Sequence, residues 1–266
     1  IMAHPLWFIF LFFCLVMQAN LMLLFAAAIW GFGFVAQRLG MDFLEPFAFN
    51  GVRFLLGSCS LLPLIWWFSK NKKERPTSES SLLKAGILAG SVLFIAAALQ
   101  QVGLLYTTAA KAGFITGLYL ILVPILGLLL KHTTGVTTWL GAVLAVLGLY
   151  LLSINDDFSM SFGDMLQFIG ALFWAFHILL IDHFSGRVSP LKLSSVQFAV
   201  CGILSLLVSL VLETPSLTAT LAGWQPILYS GLVSVGVAYT LQVVGQKSAN
   251  PAHAAIILSL ESVFAA

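Results

Sequence analysis

The sequence predicts an all-α polytopic membrane protein, an inverted repeat of two five-helix units. Three observations carry that prediction. The first is composition. Of 266 residues, 60% are hydrophobic and 8% are charged, where an ordinary soluble domain carries about a quarter charged residues. A water-soluble fold of this composition would expose large apolar patches and aggregate. A soluble enzyme, a disordered segment and a nucleic-acid binder are thereby excluded, and lipid is the expected solvent. The second is that the apolar residues form continuous runs rather than alternating ones, which favours helices over barrel strands. The third is that the chain resembles itself at a spacing of 142 residues.

The spans follow in order from the punctuation. A helix needs about 20 apolar residues to cross the hydrocarbon core, and only helices or closed barrels satisfy their backbone groups in lipid. Breaking the chain at Gly, Pro and charge clusters predicts spans at 21–38, 46–68, 82–104, 109–130, 135–153, 163–182, 191–212 and 224–245. A ninth begins at Pro251, where Pro is tolerated in the first helical turn, and is expected to be cut short at Ala266. Residues 1–20 are expected to be a non-standard upstream extension of the first helix. Ile1–Pro5 offers no Lys or Arg for the basic start of a signal peptide, and a cleaved or interfacial segment is the alternative. Cys14, Cys59 and Cys201 lie singly within apolar runs and read as small buried hydrophobes. No metal site and no cofactor are expected.

Charge placement orients the chain. Seven of the 22 charged residues fall between Lys70 and Lys84. With the N-terminus cytoplasmic, the loops after helices 2, 4, 6 and 8 carry nine Lys and Arg, and the opposite loops carry only Arg38 and Lys111. That asymmetry follows the positive-inside rule. The Asp156–Asp157 loop falls outside, and Lys111 is expected to reach the headgroups.

The internal repeat sets the architecture. Leu99-Gln100-Gln101-Val102-Gly103 recurs as Leu241-Gln242-Val243-Val244-Gly245, and Ala109-Ala110-Lys111-Ala112 is echoed by Pro251-Ala252-His253-Ala254. Gly51-Val52-Arg53-Phe54 resembles Ser195-Val196-Gln197-Phe198, and Trp30 is matched by Trp174. The unit holds five helices, an odd number, so two tandem copies must cross the membrane in opposite senses. The expected division is an extension at 1–20, a first repeat at 21–153 and a second at 163–266, with nine of an expected ten helices present. Such inverted repeats are common in secondary transporters, whose sites lie near midplane between the repeats.

The sequence resembles the drug/metabolite transporter superfamily, and within it the EamA-like permeases. The resemblance rests on Ile29-Trp30-Gly31-Phe32-Gly33-Phe34-Val35-Ala36, Val52-Arg53-Phe54-Leu55-Leu56, Ala112-Gly113-Phe114-Ile115-Thr116-Gly117-Leu118-Tyr119 with Val123-Pro124, Pro251-Ala252-His253-Ala254-Ala255 and Leu260-Glu261-Ser262-Val263-Phe264-Ala265-Ala266. It covers the chain from about residue 21 onward. Ser262 stands where the family often has Pro. The resemblance implies ten helices, cytoplasmic termini, peripheral helices 2 and 7, and transport of small metabolites, often export.

Depth selects the candidate site. Glu261 lies ten residues after Pro251, and Tyr119 ten after Ala109, so both sit about 15 Å deep, near midplane. Trp30 and Trp174 fall near the centres of their helices, with Tyr239 and His177 slightly beyond. Trp30, Tyr119, Trp174, Tyr239 and Glu261 are therefore the expected cavity residues. A midplane carboxylate normally faces a cavity or a partner, and Glu261 reads either as a proton-coupling or cation-binding group or as a structural carboxyl. Gln100, Gln101 and Gln242 suit a pathway or gates, with interhelical hydrogen bonding as the alternative. Arg53 lies about 10 Å below the outer face. It suits either a pathway role or snorkelling to the interface, the second being favoured. His177 is a pathway candidate, with a satisfied core or interface histidine as the favoured reading. Gly86–Gly90 and Gly113–Gly117 have small-xxx-small spacing for close helix contact, and Gly31 and Gly33 offer a flexible point in helix 1. No Walker loop, zinc-helix or nucleophile-elbow motif occurs.

The expected function is secondary transport of small solutes across the cytoplasmic membrane, amino acids or related metabolites among them, with a proton as coupling partner. The alternatives are a membrane enzyme acting on a lipid-linked substrate and a non-transporting scaffold or sensor. No nucleic-acid partner is expected.

Overall fold

The computed structural model describes residues 4–71, 79–130, 134–152 and 161–265; for 4–15, 71 and 148–152 only the backbone is described. The Lys72–Arg75 part of the charged loop and the Asp156–Asp157 loop lie outside these residues. The described chain is helical: α1 (His4–Gly40), α2 (Pro46–Asn71), α3 (Glu79–Gly103), α4 (Ala109–Gly117), α5 (Tyr119–Leu129), α6 (Val136–Leu152), α7 (Phe162–Ser185), α8 (Pro190–Leu212), the short α9 (Leu217–Ala222) and α10 (Trp224–Leu228), a π-helical segment (Tyr229–Tyr239), α11 (Thr240–Gln246), α12 (Pro251–Leu258) and α13 (Glu261–Ala265).

Seven stretches among the described residues are long and apolar enough to cross a membrane, beginning at Val16, Pro46, Glu79, Ala109, Phe162, Pro190 and Trp224. Val136–Leu147 and Pro251–Ala265 are shorter apolar helices. Each of the nine coincides with a span read from the sequence, though three are not uniform. The Ala109 span breaks at Leu118, the Pro251 segment breaks at Ser259–Leu260, and the Trp224 span passes through the π-helical turns.

Packing follows the inverted repeat. α1 lies against the π-helical segment, α11 and α13, while its repeat counterpart α7 lies against α3, α4 and α5. Each repeat thus lends its first helix to the other half. The closest pair is α2 with α8, which run antiparallel: Gly51 meets Leu206, Gly202 meets Leu55, and Ser58 Oγ donates to the Ser195 carbonyl at 2.8 Å. Helices 2 and 7 of the sequence reading thus make the most extensive contact between the repeats. Lipid supplies no hydrophobic drive between helices, so close backbone approach at small residues must hold them together. Gly86 and Gly90 present α3 to Val196 and Val200 of α8, and Gly103 meets Gly163 where α3 meets α7. Gly31 and Gly33 are contact points too, against Phe264 and Ser234, rather than a loose point in α1.

One end of the bundle is tied by polar contacts across elements. Glu213 accepts hydrogen bonds from the Phe47 and Ala48 backbone N–H groups, at 2.8 and 2.7 Å. There its negative charge meets the positive end of the α2 dipole. Glu45 returns the contact by accepting from Thr214 N at 2.9 Å. Arg38 Nη1 donates to the Leu104 carbonyl at 2.8 Å. Lys111 does not reach outward as expected; its Nζ lies 2.7 Å from Asp164 Oδ2. Asp164 also accepts from Thr107 Oγ1 and closes a capping box with Ser161 at the start of α7. The buried Asp164 carboxylate, at the start of the neighbouring α7, is a nearer counter-charge than the lipid surface. Cys201 is buried as expected, but Cys59 is exposed, because its side of α2 faces outward from the bundle.

Candidate solute cavity

Two broken helices build the centre of the molecule. α4 ends at Gly117 and α5 restarts at Tyr119, with Leu118 closing a tight turn by donating to Ile115 O at 3.1 Å. α12 ends at Leu258 and α13 restarts at Glu261, with Leu260 donating to Ile257 O at 3.2 Å. Gly117 lowers helix stability at the first break. At the second, Ser259 Oγ bonds back to Ile256 O at 2.8 Å, a competition with the backbone that disfavours a regular helix. The breaks are repeat-related, and the first residue after each is Tyr119 in one half and Glu261 in the other.

Both residues face one enclosed cavity between the repeats. Its lining includes Trp30, Tyr119, Trp174, Tyr239 and Glu261, together with Gln100, Gln242 and Arg53. Extending the repeat spacing of 142–144 residues pairs the wall with itself: Trp30 with Trp174, Phe34 with Ile178, Gln100 with Gln242, Thr116 with Leu258, and Tyr119 with Glu261, all on the wall. Gln37, Arg53, Ser234 and Tyr239 complete the wall without such a mate. The pseudo-two-fold axis therefore runs through the cavity, and these four residues, with the unlike pairs, make it asymmetric.

Tyr239 is the aromatic hub. Its ring lies 4.5 Å from Trp30, 6.0 Å from Trp174 in a stacked orientation, 6.0 Å from Phe54 and 5.7 Å from Phe198, between centroids. Trp30 Nε1 donates to the Ser234 carbonyl at 3.2 Å, which fixes the indole against the π-helical segment. Several polar atoms on the wall have no hydrogen-bond partner among the described residues: Tyr119 Oη, Trp174 Nε1, Gln37 Oε1 and Gln242 Oε1. The Tyr119 hydroxyl is near enough to interact with the Glu261 carboxylate, yet no hydrogen bond of ordinary geometry closes between them. Buried donors and acceptors normally find partners, so these atoms form a set available to a polar guest. Water centres fit in about 30 Å³ of the cavity, room for about two water molecules.

Of the pathway candidates, Gln101 and His177 lie off the wall, in the structural alternative given for each, and Arg53 does not take the interfacial position favoured for it. Gln101 is fully buried but turns from the wall; its Nε2 donates to Gln37 O at 3.3 Å. His177 is also off the wall, with Nε2 at 2.9 Å from Gln197 Oε1 and its ring edge-on to Trp174 and Tyr239. Arg53 does not snorkel. It is 2% exposed, with its side chain on the cavity wall inside the bundle. Phe34, Gln37, Thr116, Ser234, Ile178 and Leu258 were not singled out by sequence. Helical spacing held the signal for most: Trp30, Phe34 and Gln37 fall at i, i+4 and i+7, and Thr116 and Leu258 each lie three residues before Tyr119 and Glu261. Such spacings share a helix face.

Comparison with known proteins follows the same geometry. Residues 17–154 and 161–266 each match the EamA-like transporter family. A protein of Archaeoglobus fulgidus described as an uncharacterized transporter is 34% identical over 252 residues, covering 94% of this chain and 76% of its own length. The uncharacterized transporter YetK of Bacillus subtilis is 27% identical over 239 residues, 86% of this chain and 72% of its own. A solved crystal structure superimposes with a TM-score of 0.75 at 18% identity, over 93% of this chain and 85% of that one, and so shares the fold. Two family matches in tandem, on a helical bundle whose halves interlock by an inverted two-fold, identify the chain as a member of the EamA-like transporter family.

Proposed function

We propose that the protein is a secondary transporter that exports small metabolites, amino acids or related solutes among them, by alternating access around the central cavity. The observation that supports this reading most strongly is the wall itself: five repeat-related pairs from both halves meet in one closed, partly unsatisfied chamber. A chamber with room for about two waters admits a metabolite only when the halves separate. Rocking of one repeat against the other is the motion that inverted repeats favour. Trp30, Trp174, Tyr119 and Tyr239 supply apolar walls with hydrogen-bonding edges. Glu261 is the proton-coupling group, with Tyr119 opposite it. Gln100 and Gln242 line the two approaches. The membrane is the cytoplasmic one, with the N-terminus and the loops after helices 2, 4, 6 and 8 on the cytoplasmic side, in keeping with the Lys and Arg asymmetry.

The test is an untargeted metabolite screen of medium from cells overproducing the protein, against an empty-vector control, followed by flux of each enriched solute from proteoliposomes. At least one solute is expected to leave proteoliposomes faster than protein-free vesicles. No protein-dependent flux of any solute would overturn the reading.

A further inference from the structure

The four wall residues without a repeat mate include one permanent cation, Arg53. Guanidinium stays protonated in proteins, and a charge inside a membrane-spanning bundle is costly unless it is compensated. Arg53 nonetheless sits in the core with its side chain on the cavity wall. No carboxylate lies within ion-pair distance of it among the described residues. Its neighbours are neutral. Nε donates to Asn50 Oδ1 at 2.9 Å, and the guanidinium carbon lies 4.9 Å from the Phe54 ring centroid and 5.6 Å from that of Phe49.

The side chain is also aimed. Asn50 is fully buried one turn before Arg53, and its own Nδ2 donates to the Ala97 carbonyl of α3 at 3.0 Å. Anchored to α3, Asn50 holds one edge of the guanidinium and leaves the other edge free of that constraint. The equivalent residue of the second repeat is Gln197, which is engaged with His177 and lies off the wall. The cavity therefore carries a fixed cation on the first half only, while the carboxylate Glu261 comes from the second.

We propose that Arg53 is the residue of this cavity that recognises an anionic group on the solute, a carboxylate, and that Asn50 is the residue that positions it. The inference rests on the transport reading above. Planar guanidinium matches a carboxylate with paired N–H donors, and binding it would supply the counter-charge that the protein does not. Glu261, on the other half, then faces the opposite end of the guest.

Proteoliposomes loaded with an equimolar mixture of the twenty common amino acids, and a second set loaded with the corresponding carboxamides, test this by mass spectrometry of the released solutes. For at least one amino acid, release by the wild-type protein is expected to exceed that of its carboxamide by about tenfold or more, the range of a hydrogen bond to a charged group. Arg53→Gln should reduce that preference to within about twofold, and Arg53→Lys should retain part of it. Asn50→Leu should raise the KM for the acid with little change in maximal rate, because the charge remains but is no longer aimed. A wild-type protein that releases carboxamides as fast as acids overturns the proposal, as does an Arg53→Gln variant that is folded by size-exclusion chromatography and keeps the preference. An exported solute without any anionic group also overturns it while leaving the transport reading intact. Absence of flux for every solute is the separate failure of that reading.

Discussion

The two halves of the cavity share a backbone plan and differ in chemistry. In the first repeat, the chain after the helix break presents Tyr119, and α2 presents Arg53. In the second repeat the same break presents Glu261, and the residue equivalent to Arg53 is Gln197, turned away to His177. Duplication supplies two repeat-related helix breaks to one chamber. Divergence at two positions then gives the chamber a cationic and an acidic side. A symmetric cavity would bind a guest equally in two orientations, whereas this one distinguishes its ends.

The comparison breaks most sharply at Glu261. If the acidic half carries proton coupling, Glu261→Gln should lower transport driven by a pH gradient by about 100-fold, while exchange without a gradient persists, a split that separates driving force from binding. Its repeat mate should matter far less: Tyr119→Phe is expected to cost only about threefold, the value of one neutral hydrogen bond. Equal losses from both, measured as initial rates in proteoliposomes, would mean that the two positions act as one unit.

Next in size is the seam that lets the halves interlock. Gly90 lies against Val200 and the Gln197 carbonyl of α8, so Gly90→Leu should destabilise the bundle by about 1–3 kcal/mol through overpacking. A fall in melting temperature checks this. Gln197→Leu, on the quiet side of the Arg53 comparison, leaves His177 buried without its partner. Its expected cost is about 1–3 kcal/mol of stability with no loss of preference for acids over amides. Ser262→Ala is the smallest. It removes the hydrogen bond from Ser262 Oγ to the Gly113 carbonyl at 2.6 Å, which links α13 to α4. Membrane interhelical bonds average about 0.6 kcal/mol, so a shift much larger than that would give this tie between the broken helices a special role.

Much of the molecule was legible in advance because lipid leaves few options. Once 8% charge had made the solvent apolar, backbone satisfaction required helices, and run length located the nine of them. Depth along each helix then singled out Glu261 and Tyr119 without any knowledge of neighbours. Rotation about the helix axis was less visible. Gln100 and Gln101 are adjacent in sequence and equally polar, yet one lines the cavity and the other binds Gln37 O. An apolar helix in lipid has no strong polar face to betray which side is buried. Arg53 was misjudged for the same reason: snorkelling is the cheaper choice for an isolated helix, and only the rotation of α2 that puts its side chain on the cavity wall denies it that route.

By itself, then, the sequence determined the apolar character of the chain, the positions of the nine helical segments along it and the duplication. These follow from hydropathy, helical rise and self-similarity, all of which are local or one-dimensional. Only the tertiary structure decided which residues share a wall, that α2 and α8 pack against each other, and that Lys111 pairs with Asp164. Those outcomes depend on contacts between helices far apart in the chain, made where glycines allow backbones to meet, and no single helix encodes the rotation that brings them together.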